Sequence, residues 1–174
     1  MSNPFADAFK DAGLIDKKEH QQIQNQDKNQ AEQKKNQVKY GKIASFYKDW
    51  FFNNDWEVNP ELFDTIANQV VDSFEKSKLT SRKLRQYYDI VNWLYHTKVF
   101  ESKWKLKTEL FMMIAKANYD YGRKQVVPLS FVQFLKFNID NLFIKSDKKH
   151  KDKFIIFKKH MEAVVAYSKW KLKN

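Results

Sequence analysis

A chain of 174 residues and 21.0 kDa has room for one hydrophobic core with an appendage, not for two full domains. Three Gly and three Pro argue against a sandwich or barrel with many tight turns, and the absence of Cys excludes disulfides, a thiolate nucleophile and Cys-based zinc sites. Net charge is +11, and all of the excess sits in one part: residues 1–60 carry nine Lys against nine acids, whereas residues 61–174 carry 23 Lys or Arg against 12 acids. That asymmetry points to a polyanionic partner, nucleic acid first, with solubility as the plain alternative. No apolar run approaches the roughly 18 residues of a membrane span, and Met1 to Lys10 lacks the layout of a signal peptide. A cytoplasmic protein with no membrane partner is expected.

In chain order, PFADAFKDAGLI within residues 1–16 has the spacing of a short amphipathic segment, with Phe5, Phe9 and Leu14 on its apolar face. It could dock on a partner but would not be stable alone. Residues 17–40 read as a flexible polar tether, since Ile23, Ala31 and Val38 are the apolar side chains between Lys17 and Lys39. The bundle domain is then 41–174. Ile43, Phe46, Tyr47, Trp50 and Phe51 predict a short aromatic helix ended by Asn53-Asn54-Asp55. Asn59-Pro60 is an N-cap with proline at the first helical position, and Leu62, Phe63, Ile66, Val70, Val71 and Phe74 predict one helix over about 61–77. Thr80 or Ser81 caps the next, whose stripe is Leu84, Tyr88, Val91 and Tyr95. A third runs from Lys103 to Tyr121 and stops at Gly122. A fourth starts at Pro128, buries Phe131, Leu135, Ile139 and Leu142, and gives way to the charged turn 145–153. The fifth places Phe154, Phe157, Met161, Val164 and Val165 on one face. The expected fold is all-α, a compact bundle of about five amphipathic helices with an N-terminal extension.

Catalytic chemistry has no visible constellation. His150 and His160 are ten residues apart, about 80° short of three helical turns, and no carboxylate joins them at ligand spacing. His96 belongs on a polar helix face and His20 in the tether. A glycine-rich phosphate loop, a Gly-x-Ser-x-Gly elbow and a His-Glu-x-x-His are all missing from the sequence. Neither a metal nor a cofactor is expected. The aromatic stripes read as core, with stacking open to exposed rings such as Trp104 or Tyr121.

Basic charge at helix starts and faces does rise above background. In Thr80 to Gln86, Leu84 faces the core while Arg82 and Arg85 fall on the other side at i, i+3. Arg82, Lys83 and Arg85 oppose the helix dipole, and an anion at that N-terminus would relieve the repulsion. The alternative is an Arg85 to Asp89 surface pair worth a few tenths of a kcal/mol. Lys148, Lys151, Lys158, Lys159, Lys169 and Lys173 share one side of the last helix, either as a solvated face or as a track for a phosphate backbone.

Three stretches together carry a resemblance. Leu79-Thr80-Ser81-Arg82-Lys83-Leu84-Arg85-Gln86, then Tyr119-Asp120-Tyr121-Gly122-Arg123-Lys124, then Phe157 to Tyr167 ending in MEAVVAY, resemble the small helical Csm-type subunit of type III-A CRISPR effector complexes. The last stretch is the most specific, and the region covered is about 61–170. The resemblance implies a non-catalytic helical bundle that holds guide RNA and target RNA, next to the backbone and large subunits of the complex and further copies of itself. Arg85 matches the basic position of the first motif, Arg123 the Gly-Arg of the second, and Lys159 a basic position of the third. With their neighbours they give the candidate RNA-binding set Arg82, Lys83, Arg85, Arg123, Lys124, Lys158 and Lys159. The first 60 residues and the Lys171-Leu172-Lys173-Asn174 end depart from the family pattern, so they inherit no role. The competing reading is a helical protein-protein adaptor whose basic surface only aids solubility; a metal-dependent ribonuclease is remote.

Overall fold

Residues 39–47, 51–52, 57–74, 79–123, 126–144 and 149–172 are described by the computed structural model. The readings of 1–16 and of 17–38 lie outside the described residues. Tyr40–Asn174 clusters as one unit. Among its described residues there are five α-helices, and the sole extended pairing is an isolated antiparallel bridge between Phe52 and Val58. The helices are α1 (Thr65–Ser73), α2 (Ser81–His96), α3 (Lys103–Gly122), α4 (Leu129–Phe143) and α5 (His150–Lys171). The all-α bundle expected from the sequence is what forms.

The short aromatic helix is instead a six-residue 3-10 turn, Gly41–Phe46. Gly41 opens it at φ +58°, and a Cβ there would stand 2.6 Å from the Gln133 amide on α4, so the turn can lie close on that helix. Tyr47 leaves the turn in extended conformation and is buried. Its ring packs 4.8 Å from that of Phe137.

The expected single helix over 61–77 is broken in two. Asn59 accepts the Glu61 N–H at 3.0 Å and Pro60 starts a 3-10 turn, Pro60–Phe63, as the capping pattern predicts. Asp64 then leaves helical geometry at φ −129°, ψ −90°, and α1 runs only to Ser73. The cause is tertiary: the Leu62 carbonyl, which a continuous helix would spend on its own ladder, accepts from His160 Nδ1 at 2.6 Å, and Asp64 accepts from the Tyr167 hydroxyl.

Thr80 caps α2 by accepting the Lys83 N–H at 3.1 Å. The buried stripe is Leu84, Tyr87, Val91 and Leu94, rotated from the expected one. Tyr88 and Tyr95 lie at its edge, half-buried. Lys98 ends the segment with a left-handed backbone, φ 57°. The rings of Tyr95, Phe100 and Phe154 stack at 5.4 and 5.6 Å and close the corner.

Helix α3 stops at Gly122 as expected. On α4, Phe131, Leu135, Ile139 and Leu142 are all buried, joined by Val132, Phe134 and Phe137. The charged turn is shorter than predicted, because α5 already starts at His150. Lys153, assigned to that turn by its charge, is buried and donates to the Ile144 carbonyl at 2.6 Å. It thereby caps the end of α4, where a cation also meets the negative pole of the helix dipole. Helix α5 packs against α1 and α2 and also meets α4, while α3 lies on α4. Phe154, Phe157, Met161 and Val164 fill the centre, with Val165 half-buried.

Candidate nucleic-acid interface

The first two basic motifs, Leu79 to Gln86 and Tyr119 to Lys124, are joined by the fold where Lys83 meets Asp120. Asp120, on the last turn of α3, accepts the Tyr87 hydroxyl at 2.7 Å and pairs with the Lys83 ammonium at 2.8 Å. Burial alone would raise the Asp120 carboxyl. Hydrogen bonds from Lys83 and Tyr87, together with the positive field of Lys83 and Lys116, outweigh that and hold it below the usual carboxylate range. For Tyr87, burial comes first and the Asp120 charge adds to it, so its hydroxyl stays protonated. Part of the repulsion among the cations that open α2 is therefore relieved by a carboxylate of the chain itself.

Each candidate residue takes a distinct place around this junction. Arg82 and Arg85 are exposed on α2. Arg85 Nε stands 4.0 Å from Asp89, and its side chain is 68% exposed, so the surface pair exists at the outer limit of an ion pair and leaves the guanidinium facing solvent. Lys83 is committed to Asp120. Arg123 is exposed just past α3, donating to the Tyr119 hydroxyl at 3.1 Å. Lys124 lies outside the described residues. Lys159 is exposed on α5.

Lys158 departs from the expected lysine row. Its ammonium is 3.4 Å from the Tyr88 hydroxyl and lies over the Tyr88 and Tyr95 rings at 5.6 and 5.3 Å, with Glu162 at 3.5 Å. The half-buried stem tucks along the α2/α5 seam, and its charge is spent there on two ring faces and a carboxylate. Lys151, Lys159 and Lys169 are exposed, and Lys148 and Lys173 fall outside the described residues.

The third motif, the most specific of the three, proves to be largely core. His160 is fully buried, its Nδ1 on the Leu62 carbonyl at 2.6 Å and its Nε2 on the Tyr47 hydroxyl at 2.8 Å. A carbonyl only accepts, so Nδ1 carries the proton and Nε2 accepts from Tyr47. Asn138 donates to the same tyrosine oxygen at 3.3 Å. Burial pulls the imidazole pKa down to about 4, partly countered by the Leu62 bond. It is a neutral structural histidine. Sequence spacing shows it only as half of a pair unsuited to a metal. Among the described residues no cluster of His, Asp or Glu could hold a metal ion, and no helix is long and apolar enough to cross a membrane.

The Asp120 junction was not legible in either motif alone, because nothing in their spacing says that α3 ends beside the start of α2. Changing Asp120 to Asn should cost roughly 1–3 kcal/mol of stability, since it weakens hydrogen bonds to a charged group. Urea denaturation of parent and variant checks this; an unchanged midpoint would mean that the two hydrogen bonds do not hold the junction.

The Csm2 Type III-A family matches residues 57–174, more than half of the chain. No curated protein and no solved structure matches it. The matched region holds both basic motifs, their Asp120 junction and the His160 core, and on that match the chain belongs to the Csm2 Type III-A family, the small-subunit family of type III-A CRISPR complexes.

Proposed function

We propose that the chain is a non-catalytic RNA-binding scaffold subunit of a type III-A CRISPR antiviral ribonucleoprotein in the cytoplasm. It holds the backbone of guide RNA and target RNA while other subunits cut. Its neighbours in this reading are the backbone and large subunits of the complex and further copies of itself. The observation that carries the proposal is the meeting of two basic motifs at Asp120, with Arg82, Arg85 and Arg123 exposed around the α2/α3 junction. Charge without an acid-base constellation suits a surface that grips phosphates and leaves their bonds alone. The short segment 1–16 and tether 17–40 serve assembly in this proposal, ahead of the bundle domain 41–174.

The test compares the parent with an Arg85→Ala/Arg123→Ala double variant on unrelated single-stranded RNAs at stepped salt. The parent should bind all of them similarly, with affinity falling steeply as salt rises. The variant should melt like the parent, because exposed substitutions typically stay within about 0.5 kcal/mol. Its RNA binding should weaken by roughly 1 kcal/mol or more for each phosphate no longer held, with a shallower salt slope. A flat salt response in the parent, or an unchanged affinity and slope in the variant, would overturn the proposal in favour of the protein-protein adaptor.

A further inference from the structure

Helix α3 is apolar on two opposite sides. Leu106, Leu110, Met113 and Ala117 face the core. Half a turn away, Trp104, Phe111, Met112 and Tyr119 are 76, 44, 63 and 61% exposed. This outward row extends over about 22 Å of helix, too long and too aromatic to be scattered surface residues.

What surrounds the rings indicates what would cover them. Lys107 lies within the row, its ammonium 5.8 Å from the Trp104 ring, 5.4 Å from Phe111 and 5.8 Å from Phe143 on α4. Lys105 and Lys116 are exposed on the same helix. At the far end Tyr119 is held by Arg123, whose guanidinium lies 5.9 Å over its ring. An apolar partner helix laid here would strip water from the Lys107 ammonium without giving it a counter-charge, a cost such an interface would have to overcome. A nucleotide has no such conflict, since it offers a π-face to the rings and a phosphate to the lysines. Bases in a duplex are already stacked on one another, so only unpaired bases can use the rings.

We propose that the outward face of α3 is a stacking platform for unpaired bases of single-stranded RNA, with Trp104 and Phe111 taking base faces and Lys107 an adjoining phosphate. The proposal rests on the RNA-scaffold reading and adds to it a contact with bases, which the basic junction at Asp120 does not supply.

The experiment uses the full chain and two labelled probes of equal length, a uridine oligomer and its abasic ribose-phosphate counterpart. Parent, Trp104→Phe and Trp104→Ala/Phe111→Ala are titrated with both, after circular dichroism confirms that each is folded. The double variant should bind the uridine oligomer roughly tenfold or more weakly, keep the parent's affinity for the abasic backbone, and keep its salt slope, because stacking releases no counterions. Trp104→Phe should retain most of the parent's affinity. Unchanged uridine binding, or an equal loss on both probes, overturns the platform while leaving the scaffold reading standing. An altered sedimentation coefficient with RNA binding preserved also overturns it, by making the face a protein interface. A parent that binds neither probe removes the scaffold reading as well.

Discussion

Replacing His160 with alanine is expected to destabilise the bundle by about 3–5 kcal/mol, more than any surface change considered above. The ring is fully buried among Phe51, Phe134 and Tyr47, with centroid separations of 6.0, 5.8 and 5.7 Å. Its removal leaves a cavity and strands two polar groups, the Leu62 carbonyl and the Tyr47 hydroxyl, that have no access to water. It also releases the link that turns the chain from the Pro60–Phe63 turn into α1. Urea denaturation at pH 7 reads the loss directly. A change below about 1 kcal/mol, the scale of an ordinary surface substitution, would mean that the ring is filler and that the two hydrogen bonds do not hold the turn.

The same residue sets the second large effect, a loss of stability in mild acid. His160 has a folded pKa of about 4 against an ordinary value of 6.5. As pH falls below 6.5 the unfolded chain gains a proton that the folded chain refuses, so unfolding becomes more favourable. The stabilisation is intact above 6.5 and is fully lost once pH drops below about 4. Between pH 7 and pH 5 the cost is about 2 kcal/mol, and the whole shift is worth about 3 kcal/mol. Most carboxylates remain ionised down to pH 5, but burial also lowers the His150 pKa and adds a loss of the same sign, so the His160 part is isolated by comparison with a His160 variant. His160→Gln provides the comparison: less stable at pH 7, it should lose that part of the pH dependence. If parent and variant fell in parallel between pH 7 and pH 5, another group would be responsible.

The helix count, most of the caps and much of the core were legible in the sequence because they are local or periodic. Asn59-Pro60 and Thr80 act where the capping chemistry places them, and Gly122 ends α3. The α4 stripe is buried in full. Spacing predicts Tyr88 and Tyr95 in the core because a four-residue step fits a helical face as well as a three-residue step does. Tertiary packing decided the matter: Tyr87 and Leu94 are buried, the Tyr87 ring 4.9 Å from that of Phe131 on α4, and the other two tyrosines lie beside Lys158 of α5. The outward row on α3 is written in the sequence too, as Trp104, Phe111, Met112 and Tyr119. A single-stripe reading has no place for a second apolar face.

By itself the sequence determined that the protein is a helical bundle, that its excess charge belongs to residues 61–174, and that three stretches resemble one family, which the match over 57–174 bears out. Tertiary structure alone decided which cations face water and which are spent inside. Lys83, Lys153 and Lys158 look like any other lysine in a composition, yet one pairs with Asp120, one caps α4 and one lies on two tyrosines. Arg82, Arg85, Arg123 and Lys159 remain at the surface. The reason is physical: a residue's charge is fixed by its own chemistry, but the partner that neutralises it comes from wherever a long-range contact brings a carboxylate, a carbonyl or a ring face within reach.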